Sequence, residues 1–183
     1  MQNRDDFILI DEFIEGDAKA FGVLVERYKR KIYMTAYRIL GNHEDADDIT
    51  QEVILKMYSS LSTFRKESSI FTWLYKITTN LSLNELKRKK IKNFFSLDAV
   101  TDYLADEKTS SPESKLGEKE LSSKIQDAIN KLPEKQRVVF TLRFYEELPY
   151  EEISKIVGTS VGALKANYFH AFNKMVKELK NVV

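Results

Sequence analysis

Apolar residues recur along this chain at steps of three and four, and the alternation that marks a half-buried strand is essentially missing. The pattern predicts helices throughout. A short amphipathic helix runs from Asp5 to Ile14, with Phe7, Ile10 and Ile14 in register and Gly16 closing it. Asp17 stands where a second helix needs its cap, and Phe21, Leu24, Val25, Tyr28, Ile32, Ala36 and Ile39 hold the period until Gly41 ends it. Glu26, Arg27, Lys29, Arg30 and Lys31 take the other side. A third helix spans His43 to Leu61, with Ala46, Ile49, Val53 and Met57 as its inward row and Gln51, Glu52 and Lys56 outside. Its acidic start, Glu44, Asp45, Asp47 and Asp48, suits the positive end of the helix dipole. After a Ser/Thr-rich break, Ser59 to Ser69, a fourth helix runs from Ile70 to about Lys90 and turns Ile70, Leu74, Ile77 and Leu81 to its core.

From Phe95 to about Gly117 the texture changes. Asp98, Asp102, Asp106, Glu107 and Glu113 outnumber the bases, and Thr109-Ser110-Ser111-Pro112 breaks any period, which predicts a mobile acidic linker. Phe94, Phe95, Leu97, Val100, Tyr103 and Leu104 are too apolar for pure disorder, so part of it is expected to dock on a partner. Helix resumes at Glu118 to Lys131, and Pro133 opens another carrying Val138, Val139, Leu142 and Phe144. The division expected is residues 1–93, a flexible linker at 94–117, and residues 118–183: an all-α chain of two small helical domains.

The last stretch, Tyr150 to Leu179, carries the densest information. Tyr150, Ile153, Ile156 and Val157 make the buried stripe of a short helix, and Gly158 is its left-handed stop. Thr159 and Ser160 form the turn, with Ser160 able to accept from the amide of Gly162 or Ala163. The next helix buries Val161, Leu164, Tyr168, Phe172, Met175 and Leu179, leaving Lys165, Asn167, His170, Lys174 and Lys177 off the stripe. A short helix, a turn of three to four residues and a polar, basic second helix make the helix-turn-helix that fits a duplex major groove. An ordinary helical hairpin with a solvated face has the same pattern.

Candidate chemistry elsewhere is sparse. The cluster His43, Glu44, Asp45, Asp47 and Asp48 lacks the ligand order and turn glycine of a calcium loop, so it reads as a capped solvated helix or a protein-docking face rather than a metal site. The only two histidines, His43 and His170, lie far apart with no nucleophile pattern, and no glycine-rich phosphate loop occurs; no catalytic constellation, metal or cofactor is expected. The stripe Trp73, Lys76, Asn80, Asn84, Lys87 offers a ring for an unpaired base, amides for base edges and cations for phosphate. A core tryptophan beside a solvated charged face would look the same. Lys87, Arg88, Lys89, Lys90 and Lys92 are either a solvated helix end or a phosphate clamp.

Composition adds limits. A net charge of +1 over 183 residues announces no nucleic-acid partner by itself, so the information lies in how the charge is distributed. The absence of cysteine excludes disulfides and thiolate metal sites and permits a reducing compartment. The start, MQNRDDFILIDEF, does not read as a signal peptide, and no segment approaches the roughly 18 apolar residues of a membrane span, so no membrane insertion is expected.

Three ordered blocks carry a resemblance over nearly the whole chain apart from the linker: AFGVLVERYKRKIYMTAYRILGNHEDADDITQEVILKMY, FRKESSIFTWLYKITTNLSLNELKRKK and LPEKQRVVFTLRFYEELPYEEISKIVGTSVGALK. They resemble a bacterial RNA polymerase sigma factor of the extracytoplasmic-function group, the short members with only conserved regions 2 and 4. The resemblance implies a cytoplasmic initiation factor with no catalysis of its own. Residues 1–93 would be region 2 and 118–183 region 4. Asp45, Asp47, Asp48, Gln51, Glu52 and Lys56 would dock on the β′ clamp helices of core RNA polymerase. Phe64, Arg65, Ser68, Ser69, Trp73, Lys76, Asn80, Asn84, Lys87 and Arg88 would melt and read the minus-ten element, holding a base flipped from the non-template strand. Ser160, Val161, Gly162, Ala163, Lys165, Ala166, Asn167, His170 and Lys174 would read the minus-thirty-five duplex. The linker would thread near the RNA exit path, and an anti-sigma factor is the implied inhibitor.

Two departures from the family pattern stand out. Pro149 occupies a place where Ser or Thr is common, so that helix starts by proline rather than by a hydroxyl cap. Leu164-Lys165-Ala166-Asn167 stands for the usual V-K-S-R, so the arginine contact is absent and Asn167 is left to read adenine. The alternative is a helix-turn-helix regulator acting without polymerase, which would leave the Trp73 stripe and the acidic helix without a task.

Overall fold

The structure, a computed structural model, describes residues 5–96 and 116–180, the side chains of 93, 95, 96 and 116–119 excepted. Most of the expected linker, 94–117, therefore lies outside the described residues. Eight α-helices and no strand occur among the described residues: α1 (Asp6–Ile14), α2 (Ala18–Leu40), α3 (His43–Ser60), α4 (Ile70–Ser96), α5 (Leu116–Asn130), α6 (Glu134–Phe140), α7 (Tyr150–Val157) and α8 (Val161–Lys180). The chain is all-α, with α1 to α4 in one lobe and α5 to α8 in another.

Short polar side chains set the helix starts. Asp5 accepts from the Phe7 amide at 2.7 Å, Asp17 from Lys19 at 2.9 Å and Asn42 from Asp45 at 2.9 Å, each satisfying a first-turn donor with no intrahelical partner. Glycine sets two of the ends. Gly41 (φ 86°) and Gly158 (φ 67°) take the left-handed conformation that closes α2 and α7. A Cβ at Gly41 would also sit 2.5 Å from the Asn130 side chain of the other lobe, which would have to turn aside.

The first lobe closes over Leu24, Ile32, Val53, Met57, Ile70 and Leu74, all almost fully buried. Each such side chain stabilises the fold by about 1.5–3 kcal/mol. In α1 the buried pair is Leu9 and Ile10, whereas Ile14 is 49% exposed. The run Phe7-Ile8-Leu9-Ile10 is apolar on every side, so periodicity alone does not choose its inward face. The second lobe centres on Val139, Leu142, Ile153, Ile156 and Leu164. There Phe144 and Phe172, expected inside, stand 49% and 43% exposed. The reason is a π-helical turn, Thr141–Tyr145, which adds a residue to the end of α6 and rotates Phe144 outward. On α8, Ala171 takes the inward position beside Leu164 and Met175, which leaves Phe172 on the flank.

The lobes touch. Ile39 of α2 and Tyr75 of α4 belong to the same buried cluster as Val138, Leu148 and Ile153, and α4 packs along α7.

Candidate functional site

On α3 the expected row divides in two. Asp47, Asp48, Gln51, Glu52 and Lys56 are exposed, with Lys56 and Glu52 paired at 3.7 Å. Asp45 is turned inward instead: its carboxylate is paired with Lys89 of α4 and bonded by the Asn42 amide. It ties α3 to α4 and offers less to an outside partner. The exposed row continues into Leu55 and Tyr58, 68% and 59% exposed, which polarity-based reading passed over. Acids followed by exposed apolar groups make a surface suited to another protein.

The loop 64–69 and α4 form the second face. Phe64 packs against Trp73 with ring centroids 5.2 Å apart, so Trp73 is half-buried and its ring is braced from one side. Below it Lys76, Asn80, Asn84 and Lys87 are exposed one turn apart. Arg65 is exposed; Ser68 is half-buried and donates to the Ser69 carbonyl at 3.3 Å. The Ser69 hydroxyl caps α4, accepting from the Thr72 amide at 3.1 Å. Arg88 is exposed but held in a two-point contact with Glu85, at 2.8 and 2.9 Å, and that hydrogen bond raises its pKa. Lys66, between Arg65 and Ser68, takes a left-handed backbone (φ 56°) and pairs with Asp11 at 2.5 Å, fixing the loop to α1.

The third face is the start of α8. Ser160 caps it as expected, accepting from the Ala163 amide at 3.4 Å. Gly162, Ala163, Lys165, Ala166, His170 and Lys174 are exposed, while Val161 and Asn167 are half-buried. The Lys165 Nζ lies 5.8 Å from the Tyr150 ring centroid. Pro149 leads α7 without a side-chain cap. The exposed first turn of α8 has the shape and donors to enter a duplex groove.

Sequence reasoning missed two features of the second lobe. An apolar groove of about 600 Å³ runs between α5 and α8, lined by Ile125, Phe140, Phe144, Phe172, Met175 and Val176 among others. Phe144 and Phe172, which the pattern places in the core, line it instead. The other is Glu146, placed by the π-helical turn against the first lobe. It accepts from Thr35 Oγ1 at 3.0 Å, from Arg38 at 3.1 Å and from the Tyr75 hydroxyl. Burial, then the bond to Glu146, raises the Tyr75 pKa well above its ordinary range. No His/Cys/Asp/Glu group among the described residues could hold a metal ion. No helix among the described residues is long and apolar enough to cross a membrane.

One lobe carries an exposed acidic helix and an aromatic-amide stripe, and it packs beside a lobe that ends in a helix-turn-helix. Comparison with known families gives the class. The family model for Sigma-70 region 2 matches residues 24–91, and that for Sigma-70, region 4 matches residues 122–175. The chain is 33% identical to the ECF RNA polymerase sigma factor SigW of Bacillus subtilis, over 94% of this chain and 96% of that protein. It is 33% identical to the ECF RNA polymerase sigma-E factor of Escherichia coli (strain K12), over 91% and 90% of the two chains. The fold is similar to CnrH in complex with the cytosolic domain of CnrY (TM-score 0.71, 22% identity, 96% and 97% covered). It is also similar to the sigma factor RpoE of Bartonella quintana in complex with the anti-sigma factor NepR (TM-score 0.72, 20% identity, 89% and 98% covered).

The chain belongs to the ECF RNA polymerase sigma factors. It is an RNA polymerase-associated transcription initiation factor.

Proposed function

We propose that the three faces divide the work of initiation. Asp47, Asp48, Gln51 and Glu52, extended by Leu55 and Tyr58, dock on the β′ clamp helices of core polymerase; Asp45 supports that face from beneath through Lys89. The Phe64–Trp73 pair, with Arg65, Ser68, Lys76, Asn80, Asn84 and Lys87, receives the unpaired minus-ten strand: extruding a base costs a few kcal/mol, returned by stacking and phosphate contact. Ser69 acts there by holding the start of α4, and Arg88 reaches phosphate once Glu85 releases it. The first turns of α8, from Ser160 through Lys174, read the minus-thirty-five duplex.

The proposed division is residues 1–93 for region 2, 94–117 for the linker and 118–183 for region 4. The chain performs no catalysis; it positions the polymerase and pays for strand opening with binding energy. It works in the cytoplasm, where polymerase and promoter are. Solved relatives are held by CnrY and NepR, and an anti-sigma factor is proposed for this chain as well.

The observation that supports this reading over a polymerase-independent regulator is the exposed acidic and apolar row of α3, a protein-facing surface separate from both DNA-facing ones. The experiment is run-off transcription with sigma-free core polymerase on fragmented host DNA. Discrete new start sites that require the protein are expected. Duplex binding with no transcript and no retention on core would hand the function to the regulator reading.

A further inference from the structure

The loop between Thr63 and Ile70 is fixed at both ends and bare in between. At its start the Phe64 amide donates to the Leu61 carbonyl at 3.2 Å, and the Phe64 ring packs on Trp73. At its end the Ser69 carbonyl accepts from the Trp73 amide at 3.2 Å, and the Ser69 hydroxyl accepts from the Thr72 amide. From Arg65 to Ser68 no backbone group is hydrogen-bonded to another backbone group among the described residues. A segment of this kind keeps one shape only if side chains hold it.

One residue in it is held, and from outside. Lys66 takes a left-handed backbone (φ 56°), a conformation that a residue with a Cβ rarely adopts. Non-glycine residues there persist only where surrounding contacts over-determine them. The contacts present come from α1. Lys66 Nζ bonds the Asp11 carboxylate at 2.5 Å and lies 5.8 Å from the Phe7 ring centroid. Phe7 and Asp11 stand four residues apart, hence on one face of that helix.

The helix that carries them is itself firmly attached. Leu9 and Ile10 are buried in the core of the first lobe. Asp6 is bonded by Arg27 and by the Tyr28 hydroxyl of α2. Toward the other end Phe13 packs against Phe21 and Tyr58, with ring centroids 5.1 and 5.4 Å away. The Asp11 carboxylate takes no part in this attachment; Lys66 is its side-chain partner among the described residues. No residue of α1 is among those expected to touch polymerase or promoter, so neither task accounts for the pair.

We infer that Asp11 is a positioning residue for the unpaired minus-ten strand: through Lys66 it sets the turn of the loop, and the turn sets where Arg65 and Ser68 stand beside the Phe64–Trp73 pair. The inference rests on the minus-ten role proposed above. A base flipped against Trp73 then meets a wall formed before the strand arrives, which leaves less ordering to binding. An exposed ion pair biases a loop by no more than about five-fold, and that bounds the effect. Without Asp11 the loop spends part of its time in other shapes, and apparent affinity falls with the competent fraction. The sign is opposite to that of simple electrostatics, in which removing a carboxylate near a polyanion strengthens binding.

The test uses holoenzyme assembled from core polymerase and the full chain, with single-stranded non-template oligonucleotides from a mapped promoter. One abasic site is moved through the minus-ten positions, and fluorescence anisotropy gives the affinity at each. The parent is expected to lose affinity most at one position. Asp11→Ala should bind the intact strand about three- to five-fold more weakly and flatten that profile, with a melting temperature within about 2 °C of the parent. The exchanged pair, Asp11→Lys with Lys66→Asp, should recover both. If Lys66 instead held a phosphate, the exchange would place a carboxylate there and recover nothing. Lys66→Gly should bind better than Lys66→Ala, because glycine takes the left-handed backbone freely. A phosphate contact would make those two alike and lower the salt slope by about 0.7. Unchanged or tighter binding by Asp11→Ala, or an exchanged pair that recovers nothing, overturns the inference. A parent profile flat at every position would sink the minus-ten reading instead. Hydrogen exchange of residues 64–69, expected to quicken in Asp11→Ala, then decides the tether alone, and an unchanged rate overturns it.

Discussion

Lys165 offers the sharpest test of the proposed duplex-reading face. It leaves α8 on the exposed side just past the Ser160 cap, and no carboxylate lies within ion-pair reach of it among the described residues. Its charge is therefore available to a phosphate. Neutralising one phosphate contact changes the slope of log K against log salt by about 0.9. Between 50 and 200 mM salt, a four-fold change, that single contact accounts for roughly a 3.5-fold change in affinity. Lys165→Ala should thus weaken holoenzyme binding to a duplex carrying the upstream element, most strongly at low salt, and flatten the slope by about one unit. Fluorescence anisotropy at several salt concentrations measures both.

The contact of Lys165 with Tyr150 is the competing explanation. A cation resting near a ring at an exposed site contributes about 0.5–1 kcal/mol, so its loss lowers stability slightly. Such a loss would leave the salt slope unchanged. Lys19→Ala, which removes an exposed lysine at the start of α2, is the control expected to leave the slope alone. A Lys165→Ala slope equal to that control would remove Lys165 from the phosphate contacts, whatever happened to the affinity.

Three further outcomes are expected. Asp48→Arg reverses a charge in a pocket shared with Glu52, Glu85 and Arg88, and should reduce retention on core polymerase by about 100-fold while thermal unfolding barely moves, since a like-charge clash across an interface costs several kcal/mol. Undiminished transcription by Asp48→Arg would remove the docking role from α3. Arg137→Ala leaves the carbonyls of Ile39, Asn130 and Leu132 without their shared donor; a loss of about 2–4 kcal/mol should lower the melting temperature by roughly 5–15 °C, with Arg137→Lys recovering part, and a change under 2 °C by calorimetry would contradict it. Burial first, then a bonded carboxylate (Asp6 for Tyr28, Glu146 for Tyr75), raises both phenol pKa values above the ordinary 10.0. Because the folded pKa is the higher one, the stability these phenols contribute is complete below about pH 10 and drains away as pH rises beyond it. Denaturant midpoints should therefore fall above pH 10, less steeply in Tyr75→Phe, and a midpoint independent of pH there would refute the linkage.

Much of the fold was legible because the relevant interactions are local. Asp17, Ser160, Gly41 and Gly158 act within a turn of themselves, and their residue types announce the conformation they permit. The inward rows of α3 and α7 were equally plain, since Ile49, Val53, Met57, Ile153 and Ile156 each face a single core. Among candidate site residues, Asp48, Lys76, Asn80, Asn84 and Lys165 are exposed. Some are also held by the fold: Asp45 is paired with Lys89, Ser69 accepts from an α4 amide, and Arg88, though exposed, is bonded to Glu85. A pattern reports which side of a helix is polar, not which polar group already has a partner.

What escaped the sequence concerns a second contact on an element already assigned one. The α4 helix has an ordinary apolar row, Ile70 and Leu74, and it explains the helix without remainder. Yet Thr72, Tyr75, Thr79, Ser82 and Leu86 also recur at steps of three and four, and all but half-buried Leu86 are buried. Hydroxyl side chains at helical spacing read as solvated, because a hydroxyl is at home in water and helix propensity treats it as neutral. Two of them meet the second lobe: Tyr75 lies in its apolar cluster and Thr72 donates to Glu152. The same holds for Glu146, a carboxylate in a turn until Arg38, Thr35 and Tyr75 arrive from elsewhere in the chain. Threonine and serine are tolerated both in water and beneath a packed helix, so their spacing does not announce which they will meet.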